Sequence, residues 1–258
     1  MSNTEKEKNN IAQKLTGRGI EFGALHNPLP VNSDNAKVYY ADRLPKEKAL
    51  DYFPELVTVF DHIIEPDFLI DLDQDDLSIV NEEGFDFIIA NNVIEHVVNP
   101  IQFLKNISDS LKEGGKVFLT APNKEYSFDS NRALTSNEHL WADYRNKTKT
   151  LCNEHIKDFL QNKHPVTNVT KETKDYFLKH RLPLSYYDGN KIPLNPFSRR
   201  RLYNFHRNRS IHVHVWNKES FASFFNEVNA KLNLKFRVLE NIDVTENIEM
   251  IYLLEKGA

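Results

Sequence analysis

Four groups of polar residues in the first half of the chain have the chemistry to bind a nucleotide-like ligand. In chain order they are Glu21 and Gly23 in GIEFGALHNPLP, Asp42 at the end of AKVYYAD, Asp71 in FLIDLD, and Asn91 in FDFIIANN. A glycine lets the backbone turn where a charged ligand approaches. An acid at the end of a second strand can accept hydrogen bonds from both hydroxyls of a ribose. These groups predict one ligand site built by successive segments of the chain.

Histidines form a second set of candidates, because imidazole can accept a proton near neutral pH. His139 lies in TSNEHLWADY, where Thr135 and Glu138 predict a capping box at the start of a helix. His212 and His214 are two positions apart in IHVHVW, which predicts a strand that carries both on one face. We expect a catalytic base among them, in the order His139, His214, His212; helix capping and a cross-strand pair are the structural alternatives.

His96, next to Glu95, is a further candidate whose alternative is a structural role at a helix start. A metal site formed by the pair His212 and His214, with Asp143 or Glu138 as third ligand, is a less favoured interpretation. We therefore expect no metal ion.

A run of basic and aromatic residues follows in the second half of the chain. Arginines interleaved with aromatic rings predict a cleft that stacks on a sugar or base while guanidinium groups hold a carboxylate or phosphate. A solvated surface is the alternative. RNA is an alternative ligand for this basic and aromatic segment, although a formal net charge of −4 favours a compact anionic acceptor over nucleic acid. The expected acceptor-binding residues are Arg199, Arg200, Arg201, Tyr203 and His206.

Strands and helices must alternate along residues 19–122 to bring the ligand-binding groups together. The apolar runs FDFIIANN and KVFLTAP predict buried strands, and shorter strands are expected at Gly19–Phe22, in AKVYYAD and near Leu69–Leu72. Apolar residues three or four apart predict an amphipathic helix over Ile94–Leu111, and a short helix is expected over Pro45–Phe53. This alternation is typical of a parallel sheet covered by helices, whose ligands bind at the carboxyl ends of the strands.

The remaining segments complete an α/β fold. A helix over Glu219–Leu232 and two strands, LKFRVLENI and IEMIYLLEK, predict that the sheet ends in an antiparallel strand. Residues 1–14 are polar and predict a flexible tail or frayed helix. Residues 123–210, rich in Lys, Arg, His, Asn and Tyr, predict an inserted acceptor-binding cap with helices around Thr135–Tyr144 and Thr150–Gln161.

Composition limits the class of protein. The 258 residues are 40% hydrophobic, and a chain of this length can bury one core, so we expect a single domain over residues 1–258. Cys152 is the only cysteine, which excludes an internal disulfide and favours a reducing, cytoplasmic location. No apolar run is long enough to predict a membrane span.

The motifs FDFIIANNVIEHVVNP and SLKEGGKVFLTAPN, with the segments quoted above, resemble class I S-adenosylmethionine-dependent methyltransferases of the branch that acts on glycans and small molecules. The resemblance implies a Rossmann-like, doubly wound sheet and S-adenosylmethionine as cofactor. It places the methionine end at the loop after the first strand, the ribose at the second and the adenine at the third. The implied cofactor-binding residues are Glu21, Gly23, Ala24, Asp42, Arg43, Asp71, Leu72, Asn91 and Asn92.

One departure concerns the first loop, where Gly23 stands alone before HNPLP and a short loop replaces the helix that is usual in the family. The expected activity is O-methylation of a hydroxyl on a bacterial surface glycan or its precursor, acidic sugars included. A methyltransferase for a small natural product or nucleoside is one alternative, and an inactive cofactor-binding partner protein is another. The sequence does not predict the oligomeric state.

Overall fold

The computed structural model describes residues 3–77, 83–163, 170–181, 192–242 and 248–258. Within them one sheet of seven strands has the order β3-β2-β1-β4-β5-β7-β6. All pairs are parallel except those that β7 makes with β5 and β6. The strands are β1 (Gly17–Phe22), β2 (Ala36–Asp42), β3 (Phe68–Leu69), β4 (Phe85–Asn91), β5 (Leu111–Pro122), β6 (Phe236–Ile242) and β7 (Glu249–Lys256). This confirms the predicted Rossmann-like sheet and its antiparallel terminal strand.

Helices cover both faces of the sheet. The α-helices are α1 (Asn3–Ala12), α2 (Lys46–Tyr52), α3 (Pro100–Ser110), α4 (Asn137–Asn146), α5 (Asn153–Asn162), α6 (Lys171–Lys179), α7 (Pro196–Arg209) and α8 (Lys218–Lys231). Short 3-10 helices span Pro54–His62 and Lys124–Tyr126. Among the described residues no helix is long and apolar enough to cross a membrane.

Alternate residues of β4 enter two apolar cores. Ile88 and Ala90 pack on one face with residues of α3 and α8, including Leu104 and Phe224. Phe87 and Ile89 pack on the other face. Because side chains alternate along a strand, a strand buried on both faces must be apolar, which explains the run FIIA over residues 87–90.

The helix after β4 begins later than the sequence predicts. It starts at Pro100 instead of Ile94, because the side chain of Asn99 accepts a hydrogen bond from the backbone N–H of Gln102 at 3.0 Å. A proline at the first helical position is preorganised for a helix, and it disfavours helical backbone in the residue before it. Residues 94–99 therefore form a turn that leaves β4 at the carboxyl edge of the sheet.

The amino-terminal segment is not the flexible tail that its polarity predicts. It forms α1, and Ile11, Ala12 and Leu15 are fully buried against the sheet. Lys8 also donates a hydrogen bond to the side-chain oxygen of Asn91 at 2.8 Å. The apolar side chains at the end of α1 and just after it bury enough surface to hold this segment in place.

Part of the predicted cap packs around an apolar cluster of its own; residues 164–169 and 182–191 lie outside the described residues. The helices α5 and α7 supply half of the buried side chains, and the segment after α7 supplies others. The cluster also includes one residue that follows β4, which joins the cap to the sheet. Its buried members are Val98, Leu151, Ile156, Phe159, Leu160, Leu202, Ile211 and Val213.

Candidate active site

A cavity of ≈ 390 Å³ opens at the carboxyl ends of β1 to β4, where ligands bind in doubly wound sheets. This volume lies within the range of small-molecule sites. The sheet side is formed by residues at the strand ends, and the cap side by two short stretches beside α5 and α7. Of the predicted cofactor residues, those on its wall are Gly23, Asp42, Arg43, Asp71, Leu72 and Asn92. The cap contributes Lys149, Thr150, Leu151, Arg207, Asn208, Ser210, Ile211 and Val213.

Gly23 turns the chain away from the sheet immediately after β1. Its φ of +64° lies in the left-handed region that favours glycine. Its N–H donates to the carbonyl of Ala41 at 2.9 Å, so the turn is tied to β2. A Cβ at this position would meet only Val93, at 3.6 Å. The backbone is thus exposed toward the cavity, as a ligand that approaches the main chain requires.

Asp42 ends β2 on the wall of the cavity. One carboxylate oxygen accepts a hydrogen bond from the N–H of Leu44 at 3.2 Å, which holds the side chain in the turn after the strand. Burial raises the pKa of Asp42, although backbone hydrogen bonds and the charge of Arg43 oppose that effect. A buried carboxylate gains more than an exposed one from hydroxyl donors that replace water.

The third strand end is shaped by a chain of acids. Asp71 accepts a hydrogen bond from the N–H of Asp73 at 3.0 Å, and β3 ends just before this turn, at Leu69, within the predicted Leu69–Leu72. Asp73 accepts from the N–H of Val98 at 2.7 Å, and burial raises its pKa to about 6. The side chains of Asp71 and Asp73 therefore fix this edge of the cavity, beside the partly buried Leu72.

Glu21 and Ala24 lie outside the cavity wall. Glu21 is fully buried, and its carboxylate accepts from the N–H of Leu29 at 3.0 and 3.2 Å. Burial raises its pKa to about 8, against the lowering effect of this hydrogen bond. Glu21 thus positions the loop between Gly23 and Leu29, and it acts on the cavity only through that loop.

Asn91 is also outside the wall, whereas Asn92 is on it. The oxygen of Asn91 accepts from Lys8 at 2.8 Å and from the hydroxyl of Thr120 at 3.0 Å. Asn92 adopts a φ of +55° and donates from its side chain to Glu249 at 2.7 Å. These bonds tie the end of β4 to α1, β5 and β7.

Arg43 lies on the cavity wall, but its guanidinium is hydrogen-bonded to the cap. Its guanidinium donates to the carbonyls of Arg207, at 3.4 Å, and Asn208. These carbonyls belong to the last turn of α7, where a cation is favourable. A second tie joins Gln74 and Lys149, whose side chains each donate to the other's carbonyl, at 2.6 and 2.8 Å. The cap is thus fastened to two strand ends across the cavity.

None of the three candidate bases lines the cavity, and two of them lie away from it. His214 is buried with Nε2 3.1 Å from the carbonyl of Val98, and burial lowers its pKa to about 3. His139 is half exposed, with Nε2 3.1 Å from Nε2 of His155 and 3.2 Å from Asp143. Neither residue lines the cavity wall, so their positions give them no contact with a ligand there.

The local structure predicted around these histidines also differs. The helix cap is Ser136, whose hydroxyl accepts from the N–H of His139 at 3.3 Å, because Thr135 instead accepts from the N–H of Val215 at 3.0 Å. Residues 211–215 form no strand ladder; only the following Trp216 makes a bridge, to Asn123.

His212 and His96 meet next to Glu95. Their rings are 4.8 Å apart, and His96 lines the cavity whereas Glu95 and His212 lie behind it. Burial and the neighbouring His212 lower the pKa of His96, and burial raises that of Glu95 well above its usual value. His212 is bonded through Nδ1 to Asp129 at 2.6 Å. The Asp129 contact was missed by sequence analysis, since 83 residues separate the partners.

The predicted acceptor-binding residues lie elsewhere on α7. Arg199, Arg200 and Arg201 are exposed, and none lines the cavity. Tyr203 packs at the side of the cap's apolar cluster, and His206 is fully buried beside Phe159 at 6.1 Å between ring centres. The signal available in the sequence was helical phase: buried Leu202, Phe205 and Arg209 recur at helical spacing. Arg207 lines the cavity instead, because it lies in the last turn of α7, next to the strand ends.

Comparison with known proteins identifies the family of this chain. A family model described as a methyltransferase domain matches residues 12–168, more than half of the chain. The chain belongs to this family. S-adenosylmethionine is therefore the cofactor, as the motifs predict. The glycine turn at Gly23, the buried acid Asp42 and the cavity volume between the strand ends and the cap all fit that molecule.

Three relatives of this methyltransferase illustrate the range of likeness. The mitochondrial ubiquinone biosynthesis O-methyltransferase of Dictyostelium discoideum is 41% identical over 49 residues, which cover 19% of this chain and 15% of that relative. A Mesorhizobium loti S-adenosylmethionine-dependent methyltransferase aligns with a TM-score of 0.50 and 11% identity over 99% of each chain. The CurJ carbon methyltransferase aligns with a TM-score of 0.44 and 14% identity, over 97% of this chain and 54% of that one. The likeness to the Mesorhizobium loti structure shows a shared fold.

Proposed function

We propose that this methyltransferase methylates a hydroxyl oxygen of a small polar acceptor, and that a sugar of a surface glycan or its precursor is the first class to test. The observation that carries the proposal is the cavity itself. Its sheet side includes Asp42, an acid that would suit a ribose, and its cap side includes polar and basic side chains that would suit a second molecule. Two molecules must meet in a methyl transfer, and this cavity is bounded by two different structural units.

On the sheet side, Asp42 would hold the ribose hydroxyls, Leu72 would pack beside the adenine, and the backbone at Gly23 would face the methionine end. S-adenosylmethionine supplies an electrophilic methyl group on a sulfonium. The chain's part is to hold that end against the turn after β4, where Asn92 and His96 line the wall. Correct orientation of the two reactants supplies much of the rate in such a transfer.

On the cap side, Arg207, Asn208 and Lys149 offer hydrogen-bond donors to the acceptor. Donors of this kind suit hydroxyl-rich or anionic molecules. A neutral hydroxyl is a weak nucleophile, and a group that accepts its proton accelerates the step. His96 is the histidine on the wall, so we place it, and not His139, His214 or His212, at the acceptor end of the cavity as a positioning residue. Burial lowers the pKa of its ring, which does not favour a role as the base.

An oxygen acceptor has one further support, because the Dictyostelium relative is named an O-methyltransferase. A small natural product or nucleoside would use the same cavity, and the panel below includes it. An inactive binding partner would retain Asp42 and its cofactor affinity but transfer nothing.

The test is transfer of a radiolabelled methyl group from S-adenosylmethionine to a panel of neutral sugars, acidic sugars, nucleosides, phenols and RNA. We expect label in hydroxyl-bearing small molecules, highest for sugars. Arg207→Ala should raise the acceptor KM and leave cofactor affinity unchanged. Label in RNA alone, or cofactor binding with no labelled acceptor in any class, would overturn the proposal.

A further inference from the structure

Three potential metal ligands converge behind the cavity wall. A carboxylate oxygen of Glu95 and a ring nitrogen each of His96 and His212 all lie within 4.8 Å of one another. Oε1 of Glu95 is 3.7 Å from Nε2 of His96 and 4.0 Å from Nε2 of His212. Glu95 is 1% exposed, and neither of its carboxylate oxygens has a hydrogen-bond partner among the described residues. An unpartnered carboxylate this deep in a protein is costly unless something pairs with it.

The other nitrogen of each ring has its own acceptor. Nδ1 of His96 donates to the carbonyl of Ile211 at 3.0 Å, and Nδ1 of His212 donates to Asp129 at 2.6 Å. A carbonyl can only accept, so Nδ1 of His96 carries the hydrogen and its Nε2 lone pair faces Glu95. Metal-bound histidines usually donate their second N–H to a carbonyl or carboxylate in this way.

These second partners are themselves held in place. Asp129 is buried and paired with Arg132 at 2.9 Å. The carbonyl of Glu95 accepts from the N–H groups of Val213 and His214, at 2.7 and 3.2 Å. Backbone hydrogen bonds thus fasten the segment that carries His212 to the turn that carries Glu95 and His96. The three ligands keep their positions without help from one another.

We propose that Glu95, His96 and His212 bind one divalent first-row transition-metal ion. Two imidazoles and one carboxylate favour zinc, cobalt, manganese or iron over magnesium or calcium, which prefer oxygen ligands. Three protein ligands leave coordination positions open. Because His96 also lines the cavity, an open position would face the acceptor, where the ion would orient a hydroxyl oxygen. This acceptor role rests on the proposed function, whereas metal binding does not.

The test is titration of the chelator-treated full chain with Co²⁺ and Zn²⁺, followed by calorimetry and, for cobalt, by visible absorption. We expect one ion per chain, with Mg²⁺ bound far more weakly. His96→Ala, His212→Ala and the isosteric Glu95→Gln should each weaken binding by more than about 100-fold, and Asp129→Asn by roughly 10- to 100-fold, as for an outer partner. Circular dichroism and cofactor binding establish that each variant is folded.

His139→Ala is the matched control, because His139, His155 and Asp143 form the other histidine cluster with a carboxylate nearby. It should leave the cobalt spectrum and affinity unchanged. Loss of binding in His139→Ala with retention in His96→Ala would overturn the assignment, as would a wild-type chain that binds neither Co²⁺ nor Zn²⁺. The titration contains no cofactor or acceptor. A chain that binds the ion but methylates nothing therefore refutes only the proposed function, and a chain that binds neither ion but methylates refutes only the metal site.

Discussion

Replacement of Asp42 separates a ligand-binding role from a structural one, because the two roles predict opposite changes. If its carboxylate accepts hydrogen bonds from the ribose, Asp42→Ala removes charged hydrogen bonds of about 1.5–3 kcal/mol. A loss of about 2–3 kcal/mol corresponds to a cofactor Kd raised roughly 30- to 140-fold. Asp42→Asn keeps one acceptor oxygen but loses the charge, so its Kd should fall between those of the wild type and Asp42→Ala.

The free protein should respond in the other direction. Burial raises the pKa of Asp42, so its ionised form costs folding free energy above the pKa of the unfolded chain, and the cost increases as pH rises. Asp42→Asn should therefore have a free energy of unfolding at pH 7–8 equal to or above that of the wild type. Weaker binding with undiminished stability is the expected signature of a carboxylate kept for its ligand.

Calorimetry with S-adenosylmethionine and urea denaturation measure the two quantities on the same samples. Asp67→Asn is the matched control. It removes a charge from an exposed acid that accepts from the N–H of Tyr40 at 2.8 Å on the neighbouring strand and does not line the cavity. The reasoning is refuted if folded Asp42→Ala binds within about twofold of the wild type, or if Asp67→Asn loses as much affinity.

Three further results are expected. The free energy of unfolding of Glu21→Gln should rise relative to that of the wild type by about 1.4 kcal/mol per pH unit between pH 5 and pH 8. The reason is that the pKa of Glu21 is about 8 in the folded chain and lower in the unfolded chain, so the wild type loses stability as pH rises. A pH-independent difference in urea denaturation would contradict this. Arg207→Ala should raise the acceptor KM roughly tenfold or more, whereas Arg200→Ala, at an exposed position, should change it by about twofold at most. A larger rise in KM for Arg200→Ala than for Arg207→Ala would place the acceptor near Arg200, outside the cavity. Gly19→Ala should lower the free energy of unfolding by about 1–3 kcal/mol, because its Cβ would stand 2.2 Å from the Phe87 ring; unchanged thermal denaturation would show that the ring moves aside.

Features set by local patterns could be predicted from the sequence. The run at β4 is apolar because both faces of that strand are covered, and Asp42 stands at a strand end where the alternation of elements places it. The antiparallel terminal strand follows from two strands in succession after α8. Hydrophobic periodicity and the order of elements along the chain determine these features, so they can be predicted without knowledge of distant contacts.

Features set by distant contacts could not be predicted. Glu21 has the type and position of a cofactor ligand, but its partner is the N–H of Leu29 in the loop that it organises. The pairing of His212 with Asp129 joins segments that the spacing of residues does not connect. The amino-terminal helix is held by a sheet face that only the assembled fold provides. Each case depends on tertiary contacts, which override local propensity.

The central claim is that the methyl group reaches an oxygen atom, and the product itself tests it most directly. S-adenosylmethionine with a carbon-13-labelled methyl group should be incubated with the enzyme and its best acceptor, and the product methyl carbon identified by nuclear magnetic resonance. The account predicts an O-methyl resonance on a hydroxyl-bearing acceptor, and a much weaker one with Asp42→Ala at the same cofactor concentration, set below the wild-type Kd. A methyl group on nitrogen or carbon, or a product equally abundant with Asp42→Ala, would contradict it.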